Sequence, residues 1–401
     1  MKLTHIQLRH YKSLADVHVS LHPNVTVVVG PNAVGKSNFV DALRFLRDAV
    51  KDDLDHAVVS RGGLNRVRQN SFSRPFNFGI SIEALQSFDD CQGQAAAYSV
   101  DIASTTGGNF RVEQEDATCF REVTYRDDEH NYKTSLVSNG FTRNKAGEVV
   151  EKDVSPANPF HVGDADQMAL GMPRGDYAFG SLGEELNTYI RNWKFSALYP
   201  ITLRQLTTPD KDASLREDGS NWASVIRAAK RSAKGKKSLE RIYEMMQVVL
   251  PDFREVTVST VGGYLVPKFH FGTSPADSRA FDPVQLSDGT LRIFGILLSL
   301  YQSPAPTLMV VEEPEQTVHP GVLSMLAEAF KEVSEVTQVI VTTHSPQLID
   351  HFGPDNVRVV TMNSGLTEIA PIKHSQQEAV KQGLMGLGEF MAAEGLQPMQ
   401  P

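Results

Sequence analysis

One short segment of the sequence restricts the possible fold more than any other. The run from Val25 to Val29 contains only valine and threonine, and the loop GPNAVGKS (residues 30–37) follows it and leads into helical periodicity from Ser37 to Val50. A strand, this loop and a helix in this order form the complete Walker A pattern. Gly30 and Gly35 permit backbone conformations in which consecutive N–H groups surround phosphate oxygens. The segment therefore predicts a nucleotide-binding loop in an α/β protein.

The residues of this loop have separate predicted roles. Lys36 is expected to place its charge between the β- and γ-phosphates of a nucleotide, and Ser37 to supply a hydroxyl for Mg²⁺. The helix that starts here adds its partial positive charge. The alternative, a glycine turn with an incidental lysine, leaves the complete pattern unexplained. The predicted phosphate-binding residues of the loop are Gly30, Ala33, Val34, Gly35, Lys36, Ser37 and Asn38.

A second segment, TLMVVEEPE, places two carboxylates at the end of an apolar strand. The carboxyl ends of strands in a parallel sheet present ligand-binding groups. Because successive side chains of a strand point to opposite sides, we expect Glu312 to face the Mg²⁺ shell and Glu313 to activate the attacking water. At the first position of such a carboxylate pair aspartate is more usual than glutamate. The longer side chain of Glu312 favours contact with the metal through water. A solvated acidic turn before Pro314 is the alternative.

A histidine follows a further apolar run. The runs Thr307–Val311 and Gln338–Thr342 are candidates for neighbouring buried strands, and the second run leads into THSP, which places His344 at a strand end. An imidazole there is able to donate a hydrogen bond to a γ-phosphate or to hold the attacking water. An isolated histidine after a strand is more often structural, and here the other motifs favour the functional interpretation.

The segment LSDGTLR (residues 286–292) precedes an apolar helix. Ser287 or Asp288 is able to cap this helix, and Gly289 leaves the backbone open. The segment is typical of an anion-binding helix start, although an ordinary N-capped helix has the same appearance. Its position after the Walker A loop and shortly before the carboxylate pair favours the anion-binding interpretation.

These motifs, in this order, resemble those of the ABC-like AAA ATPases related to the RecF, SMC and OLD proteins, a family often found in bacterial defence systems. The opening IQLRHYKSL and the segment LREDGSNWASVIR (residues 215–227) are also similar to that family. The resemblance implies an α/β fold, namely an ABC-type P-loop ATPase head with a mostly parallel central sheet and N-terminal antiparallel strands, split by an inserted α+β and helical lobe. We predict two halves of the head at residues 1–85 and 251–372, the lobe at 86–250 and a helical tail at 373–401.

The resemblance further implies that ATP and Mg²⁺ are the cofactors and that ATP closes a head-to-head homodimer with two composite sites, either alone or within a larger assembly. In such a dimer Ser287 and Gly289 of one subunit, with Asp288 between them, contact the γ-phosphate held by the other. Catalysis would then use Lys36, Glu313 and His344, with Glu312 at the metal.

Further residue roles come from the same resemblance. Asn32 is expected beside the phosphates, residues 9–13 near the adenosine, and Glu315 with His319 in a segment that crosses to the other subunit. The glutamine that usually senses Mg²⁺ is not identified, and Gln69 is one candidate for it. OLD nucleases carry a nuclease domain after the ATPase, and the residues after His344 are too few for one. We therefore expect any nuclease activity to come from a partner protein.

Composition restricts the partners. The chain has 401 residues, a formal net charge of -9 and 41% hydrophobic residues, which describes a globular protein whose bulk surface does not attract nucleic acid. Its longest nearly uncharged apolar stretch, Ile293–Tyr301, is far shorter than the roughly 20 residues of a membrane-spanning helix. The N-terminus has no continuous apolar core, and Cys91 and Cys119 are the only cysteines. These features predict a reduced, cytoplasmic protein without a membrane partner.

A local basic cluster is an exception to this acidic balance. It could follow a DNA backbone, although a solvated lysine-rich helix surface is the usual explanation for such a cluster. Trp193 and Trp222 are expected to pack in the core or an interface. The candidate nucleic-acid contacts are Arg227, Lys230, Arg231, Lys234, Lys236 and Lys237.

The leading functional hypothesis is an ATPase whose ATP-driven dimerisation regulates a DNA-directed or effector-nuclease activity in anti-phage defence. Two alternatives remain open: a slow-turnover, nucleotide-gated scaffold that holds a partner nuclease or toxin inactive, and a RecF-like DNA repair ATPase. A transporter-coupled ABC subunit is disfavoured by the long segment between the Walker A loop and LSDGT.

Overall fold

The computed structural model describes residues 1–69, 77–88, 91–105, 109–126, 132–152, 160–161, 166–170, 181–211, 214–273 and 277–399. Its strands are β1 (Lys2–Tyr11), β2 (Leu14–Ser20), β3 (Val25–Val29), β4 (Phe78–Phe88), β5 (Cys91–Ser104), β6 (Phe110–Arg126), β7 (Tyr132–Asn144), β8 (Glu148–Lys152), β9 (Phe160–His161), β10 (Trp193–Ser196), β11 (Phe253–Val261), β12 (Tyr264–Phe271), β13 (Arg279–Phe281), β14 (Leu308–Glu312), β15 (Gln338–Thr343), β16 (Val357–Asn363) and β17 (Leu366–Pro371). Its α-helices are α1 (Lys36–Lys51), α2 (Leu54–Val59), α3 (Leu64–Val67), α4 (Ser181–Arg191), α5 (Pro200–Leu203), α6 (Trp222–Ala229), α7 (Ala233–Val249), α8 (Asp288–Leu300), α9 (Leu323–Val333), α10 (Pro346–Ile349), α11 (His374–Lys381) and α12 (Leu387–Ala393).

A six-stranded sheet in the order β10-β14-β15-β3-β16-β17 positions the motifs. Its strands run parallel from β10 to β16, and β17 is antiparallel. The predicted pairing of the two apolar runs is confirmed, since Val311 lies opposite Val341 and Glu312 opposite Thr342. Because the carboxyl ends of parallel strands meet at one edge, the Walker A loop, the carboxylate pair and His344 follow β3, β14 and β15 at the same edge.

The central sheet is buried on both faces, which explains its continuous Val and Ile runs. Successive side chains of a strand enter different cores. Leu308 and Val310 of β14 belong to the core shared with α1 and the antiparallel strands, whereas Met309 and Val311 belong to the core formed with α6 to α9. The sheet is therefore the layer that joins two hydrophobic cores into one body.

The predicted boundaries of the inserted lobe differ from the topology of the described residues. An eight-stranded antiparallel sheet runs in the order β2-β1-β4-β5-β6-β7-β8-β9, so β4 continues across the predicted boundary after residue 85. Strand β10, which falls inside the predicted lobe, pairs in parallel with β14 of the central sheet. The predicted boundaries depend on changes in composition along the chain. Such changes mark turns and charged edges, but they do not indicate which strands pair.

Helical elements on the second core also differ in detail from the sequence pattern. A glycine inside the helical pattern of residues 222–249 favours a break around Gly235. The interruption instead lies earlier, between α6 and α7, and Gly235 is buried in the first turn of α7. Trp193 and Trp222 are fully buried, as predicted. The composition of the stretch 154–182, which is rich in Gly, Pro and Asp, favours a loop or linker, and most of this stretch lies outside the described residues. Within the described residues, no helix is long and apolar enough to cross a membrane.

Candidate nucleotide-binding site

The Walker A loop has the backbone that its glycines predict. Gly35 has a φ of 105° and Ala33 a φ of 65°, both in the left-handed region. A Cβ on Gly35 would collide with the side chain of Thr367, and one on Gly30 would lie 2.5 Å from the carbonyl oxygen of Val360. Gly35 is the N-cap of α1 and has no side chain to cap it, so the first amides of the helix remain open toward an anion.

Lys36 is the most buried charged group of the loop. Its side chain is 5% exposed, and its Nζ donates hydrogen bonds of 2.8 Å to the carbonyl oxygens of Gly30 and Pro31. Burial lowers the pKa of Lys36, while the carboxylates of Glu313 and Glu315 act in the opposite direction. A bound phosphate would give this ammonium stronger, charge-assisted partners than two neutral carbonyls.

The two adjacent carboxylates diverge, as predicted, but a backbone turn produces the divergence. Glu312 is the last residue of β14, and Glu313 has a φ of 43°. The Oε1 of Glu312 accepts a 2.9 Å hydrogen bond from Nη2 of Arg44. The Oε1 of Glu313 instead lies 3.8 Å from Nζ of Lys36 and 3.8 Å from Nδ1 of His344. Glu313 is thus the carboxylate that faces the Walker A lysine.

Glu315 orients the histidine. Its Oε1 accepts hydrogen bonds from Oγ1 of Thr343 (2.7 Å) and from the backbone N–H of His344 (2.9 Å), and it lies 3.2 Å from Nδ1 of His344. The sequence-based expectation placed Glu315 in a segment that crosses to a partner, whereas its side chain is 9% exposed and occupied within its own chain. The imidazole remains 43% exposed at the edge of the sheet.

The LSDGT segment forms a capped helix start that faces solvent. Ser287 is the N-cap of α8 and accepts a 3.2 Å hydrogen bond from the N–H of Thr290. Asp288 pairs with Nη1 of Arg204 at 2.6 Å. Ser287 and Asp288 are both exposed. A Cβ on Gly289 would lie 2.7 Å from the carbonyl oxygen of Thr317, so glycine is required here for packing within one chain.

The other predicted nucleotide contacts differ in their exposure and in their partners. Asn32 and Ser37 are exposed. The side-chain amide of Asn38 donates a 2.8 Å hydrogen bond to Oγ of Ser13, which brings the β1–β2 turn beside the loop. Arg9, by contrast, pairs with Asp101 at 2.6 Å.

Gln69, the candidate Mg²⁺-sensing glutamine, lies beside the β1–β2 turn. Its N–H bonds to the carbonyl oxygen of His10, and its buried Oε1 has no hydrogen-bond partner among the described residues. The segment after β10, the strand that pairs with the carboxylate strand β14, contains Ala197, Leu198 and Tyr199 and so offers no glutamine for this role.

The donor set fits Mg²⁺, which prefers oxygen ligands and usually retains waters and phosphate oxygens. Ser37 offers a hydroxyl in the first turn of α1, and Glu312 offers a carboxylate at the end of β14. Glu312 is engaged with Arg44, so metal contact through Glu312 requires its carboxylate to be shared or released. No cluster of three or more His, Cys, Asp or Glu side chains suited to a metal occurs among the described residues.

The basic cluster lies on α6, α7 and the turn between them. Lys230 pairs with Glu255 at 3.1 Å, and Nη1 of Arg227 lies 3.4 Å from Oγ1 of Thr260. The remaining members of the cluster are exposed, namely Arg231, Lys234, Lys236 and Lys237. Exposed cations on a helix and the turn before it are able to bind the phosphate backbone of a nucleic acid, and they are equally compatible with an ordinary solvated surface.

Several residues at the site were missed by sequence reasoning. Arg44 contacts Glu312, Gln316 contacts Glu313, and Arg292 contacts the backbone of both glutamates. Only Arg292 left a signal, because it is the one charge in the apolar helix segment LRIFGILLSL. Arg44 sits in an amphipathic helix where a charged residue needs no explanation.

Comparisons with known proteins place this sequence among ATPase domains. A family model described as "AAA ATPase domain" matches residues 1–145, and one described as "AAA domain, putative AbiEii toxin, Type IV TA system" matches residues 187–350. The chromosome partition protein Smc of Rhodopseudomonas palustris is 33% identical over 138 residues, covering 32% of this chain and 11% of Smc. The DNA replication and repair protein RecF of Streptomyces avermitilis is 48% identical over 46 residues, covering 12% of each chain. The chain thus spans only a small part of the length of these relatives.

Solved structures show the same fold at low identity. The Smc head bound to the C-winged helix domain of ScpA superposes with a TM-score of 0.54 and 13% identity, covering 95% of this chain and 100% of that one. The Smc head of Pyrococcus furiosus with an extended coiled coil gives a TM-score of 0.53 and 9% identity, covering 96% and 99%. The fold and the site together define an ABC-type P-loop ATPase head. Within that class, the chain is an ABC-like ATPase related to the RecF and SMC proteins.

Proposed function

We propose that this chain binds ATP with Mg²⁺ and hydrolyses it at a site that a second copy of the chain completes. The observation that carries the proposal is the convergence of three motifs distant in sequence: Oε1 of Glu313 lies 3.8 Å from both Nζ of Lys36 and Nδ1 of His344. A carboxylate, an ammonium and an imidazole at the open N-terminus of a helix provide a base, a phosphate ligand and a hydrogen-bond donor.

Each group then has one role. Lys36 and the open amides of α1 hold the phosphates, and Glu313 accepts a proton from the attacking water. His344, oriented by Glu315, donates a hydrogen bond toward the γ-phosphate. Ser37 and Glu312 would hold Mg²⁺, which would neutralise negative charge on the phosphates. Burial of Lys36 strengthens its attraction for the phosphates because the surroundings screen it less than water does.

A second copy supplies the remaining anion ligands. Ser287 and Asp288 lie at an exposed helix N-terminus and have their own partners in Thr290 and Arg204 rather than in the Walker A loop. An exposed helix N-terminus attracts an anion, which would take the place of these local partners. We infer that Ser287 and Gly289 of one head approach the γ-phosphate bound by the other head, so that ATP closes a homodimer with two composite sites.

The dimer cycle serves, in our proposal, to regulate a DNA-directed activity or an effector nuclease in anti-phage defence. The match of residues 187–350 to an AbiEii-type domain supports a defence role, and the likeness to RecF supports a repair role as the second candidate. A slow-turnover scaffold that holds a partner nuclease or toxin inactive uses the same site, because the pairing of Glu312 with Arg44 would slow metal capture.

The Glu313→Gln variant tests the ATPase proposal. Removing the base is expected to lower Mg²⁺-dependent ATP turnover by about 100-fold or more, while ATP binding persists and the dimer accumulates. Turnover is measured by phosphate release, and the dimer by light scattering after size exclusion with and without ATP. Glu328→Gln, an exposed change on α9, is the matched control.

Normal turnover in Glu313→Gln would remove Glu313 from the base role, and a monomer at every ATP concentration would contradict the composite site. The scaffold alternative predicts little turnover in the wild-type protein together with a stable ATP-dependent complex with the protein encoded next to it.

A further inference from the structure

Arg292 occupies an unusual place for a charged residue. It lies in the apolar helix α8, is 6% exposed, and its Nε is buried without a hydrogen-bond partner among the described residues. A buried guanidinium with an unsatisfied N–H raises the free energy of the folded state, and its other hydrogen bonds have to offset this cost. Those contacts are all backbone carbonyl oxygens, and two of them belong to the carboxylate pair.

The guanidinium joins three segments of the site. Nη2 of Arg292 donates to the carbonyl oxygens of Glu313 (3.0 Å) and Glu312 (3.3 Å), and Nη1 donates to that of Leu198. Leu198 follows β10, the neighbour of β14 in the central sheet. One side chain on the LSDGT helix thus contacts both peptide groups that flank Glu313 and the end of the adjacent strand.

Glu313 needs such support because of its backbone. A φ of 43° is in the left-handed region, which is unfavourable for a residue with a side chain. Its N–H is bonded to the carbonyl oxygen of Thr342 at 2.9 Å, and its carbonyl oxygen to Arg292. These two bonds fix the peptide planes on either side of Glu313 and therefore the direction in which its side chain leaves the backbone. The carboxylate then lies near Lys36 and His344 and also contacts the side-chain amide of Gln316.

The helix and the loop after β14 also touch at a second point. Gly289 and Arg292 are three residues apart on α8 and share one face of the helix. Gly289 lies against the carbonyl oxygen of Thr317, where a Cβ would be only 2.7 Å away. The exposed start of α8 and the segment from Glu313 to Thr317 are therefore packed as one unit, and a shift of one requires a shift of the other.

We propose that Arg292 is the positioning residue for Glu313, and that it transmits contact at the LSDGT segment of a head to the catalytic glutamate of the same head. The inference rests on the proposed function. A nucleotide held by the partner head that draws Ser287 and Gly289 toward its γ-phosphate moves α8, and Arg292 carries this movement to the backbone of Glu313. Each head would then adjust its own base according to whether the other head holds ATP.

The test compares Arg292→Met, which removes the charge and all donors, with Arg292→Lys, which keeps the charge but loses the fork of donors. For Arg292→Met we expect kcat to fall by about 100-fold while KM for ATP stays within about threefold, because a small displacement of a catalytic group costs rate rather than binding. Arg292→Lys should recover part of that loss. Arg241→Met, which removes a partly exposed arginine paired with Glu332, is the control. A parallel rise in KM, or an unchanged kcat, would overturn the proposal.

Mixed dimers separate action within a head from action across the dimer, with wild-type/Glu313→Gln dimers as the reference rate. If Arg292 acts within its own head, an Arg292→Met head paired with a Glu313→Gln head has lost both bases and falls far below the reference. A head carrying both changes, paired with a wild-type head, keeps one intact site and matches the reference. The reverse pattern would mean that Arg292 acts only across the dimer, and it would refute the proposal.

Amide hydrogen exchange gives a readout independent of turnover and dimerisation. In nucleotide-free protein, Arg292→Met should accelerate exchange of peptides covering residues 312–318 at least tenfold relative to Arg241→Met, because loss of the carbonyl contacts loosens the loop. Unchanged exchange there would contradict the positioning role. If wild-type protein shows no ATP turnover, the proposed function fails, and the exchange experiment still decides whether Arg292 holds Glu313.

Discussion

Arg44 and Arg47 show how neighbouring residues of one helix acquire different roles. Both guanidinium groups lie 4.8 Å from the ring centroid of Phe195, and both pair with Glu217. Only Arg44 also reaches Glu312, at 2.9 Å. Despite burial, the carboxylates of Glu217 and Glu312 raise the pKa of Arg44. If Glu312 holds Mg²⁺ as proposed, Arg44 would compete with the metal for this carboxylate, while Arg47 would not.

This competition predicts the effect of Arg44→Met on metal use. Removing the cation leaves Glu312 free, and we expect the Mg²⁺ concentration for half-maximal turnover to fall by about fivefold, corresponding to ~1 kcal/mol for a partly exposed ion pair. The measurement is ATP turnover in a Mg²⁺ titration. Arg47→Met is the matched control because it loses the contacts with Glu217 and Phe195 and leaves Glu312 paired. An equal Mg²⁺ requirement in the two variants would show that Arg44 does not restrain Glu312.

At the scale of elements, the C-terminal helices pack on the head next to the site. The N–H of Gly388 in α12 donates a 2.6 Å hydrogen bond to Oδ1 of Asp350, directly after α10. Helix α10 begins two residues after His344. A pocket of about 440 Å³ is lined by Pro31 and Asn32 of the Walker A loop, by His344 and by residues Met391, Gly395 and Leu396 of the tail. The predicted helical tail therefore borders the nucleotide-binding edge.

The Gly388→Ala substitution tests this docking. A Cβ at this position would lie 2.5 Å from the carbonyl oxygen of Pro346 and would also collide with Asp350. We expect the overpacked contact to cost about 1–3 kcal/mol and to release α12. Limited proteolysis should then cleave the tail roughly 5- to 150-fold faster, the factor to which this range of free energy corresponds. Ala392→Ser, at an exposed position of the same helix, is the control. Equal cleavage rates in both variants would show that Gly388 does not determine docking.

At the scale of the whole molecule, charge is distributed unevenly. The net charge of -9 coexists with exposed cations on α7 and the turn before it. If this surface contacts DNA, each phosphate contact releases counterions and steepens the salt dependence of binding. The acidic bulk surface repels DNA and the basic cluster attracts it, so together they would restrict DNA to one side of the head.

The combined substitution of Lys234, Lys236 and Lys237 by Gln tests this surface. Losing three phosphate contacts should reduce the slope of log affinity against log salt by about 2.7 for duplex DNA. The slope is measured by fluorescence anisotropy of labelled DNA over a salt series. A variant with Lys145, Lys211 and Lys381 changed to Gln has the same net charge and serves as control. Identical slopes for the two variants would exclude α7 as the DNA contact.

The sequence by itself determined the parts of the site whose residues are neighbours in the chain. The Walker A loop, the helix start at Ser287, and the strand ends before Glu313 and His344 all follow from short-range patterns, since glycine conformations, caps and apolar runs act over a few residues. The parallel arrangement of the central strands also followed from the sequence, because strands that alternate with helices usually pair in parallel. All of these predictions concern local backbone geometry.

Only the tertiary structure decided which distant groups meet. Arg44 pairs with Glu312, which lies 268 residues further along the chain, and Glu315 accepts from His344 across 29 residues. It likewise decided that β4 to β9 extend the N-terminal sheet, that β10 joins the central sheet, and that Arg292 holds the backbone of Glu313. The physical reason is that a charged side chain or a strand edge pairs equally well with many partners, and the packing of the two cores selects one of them.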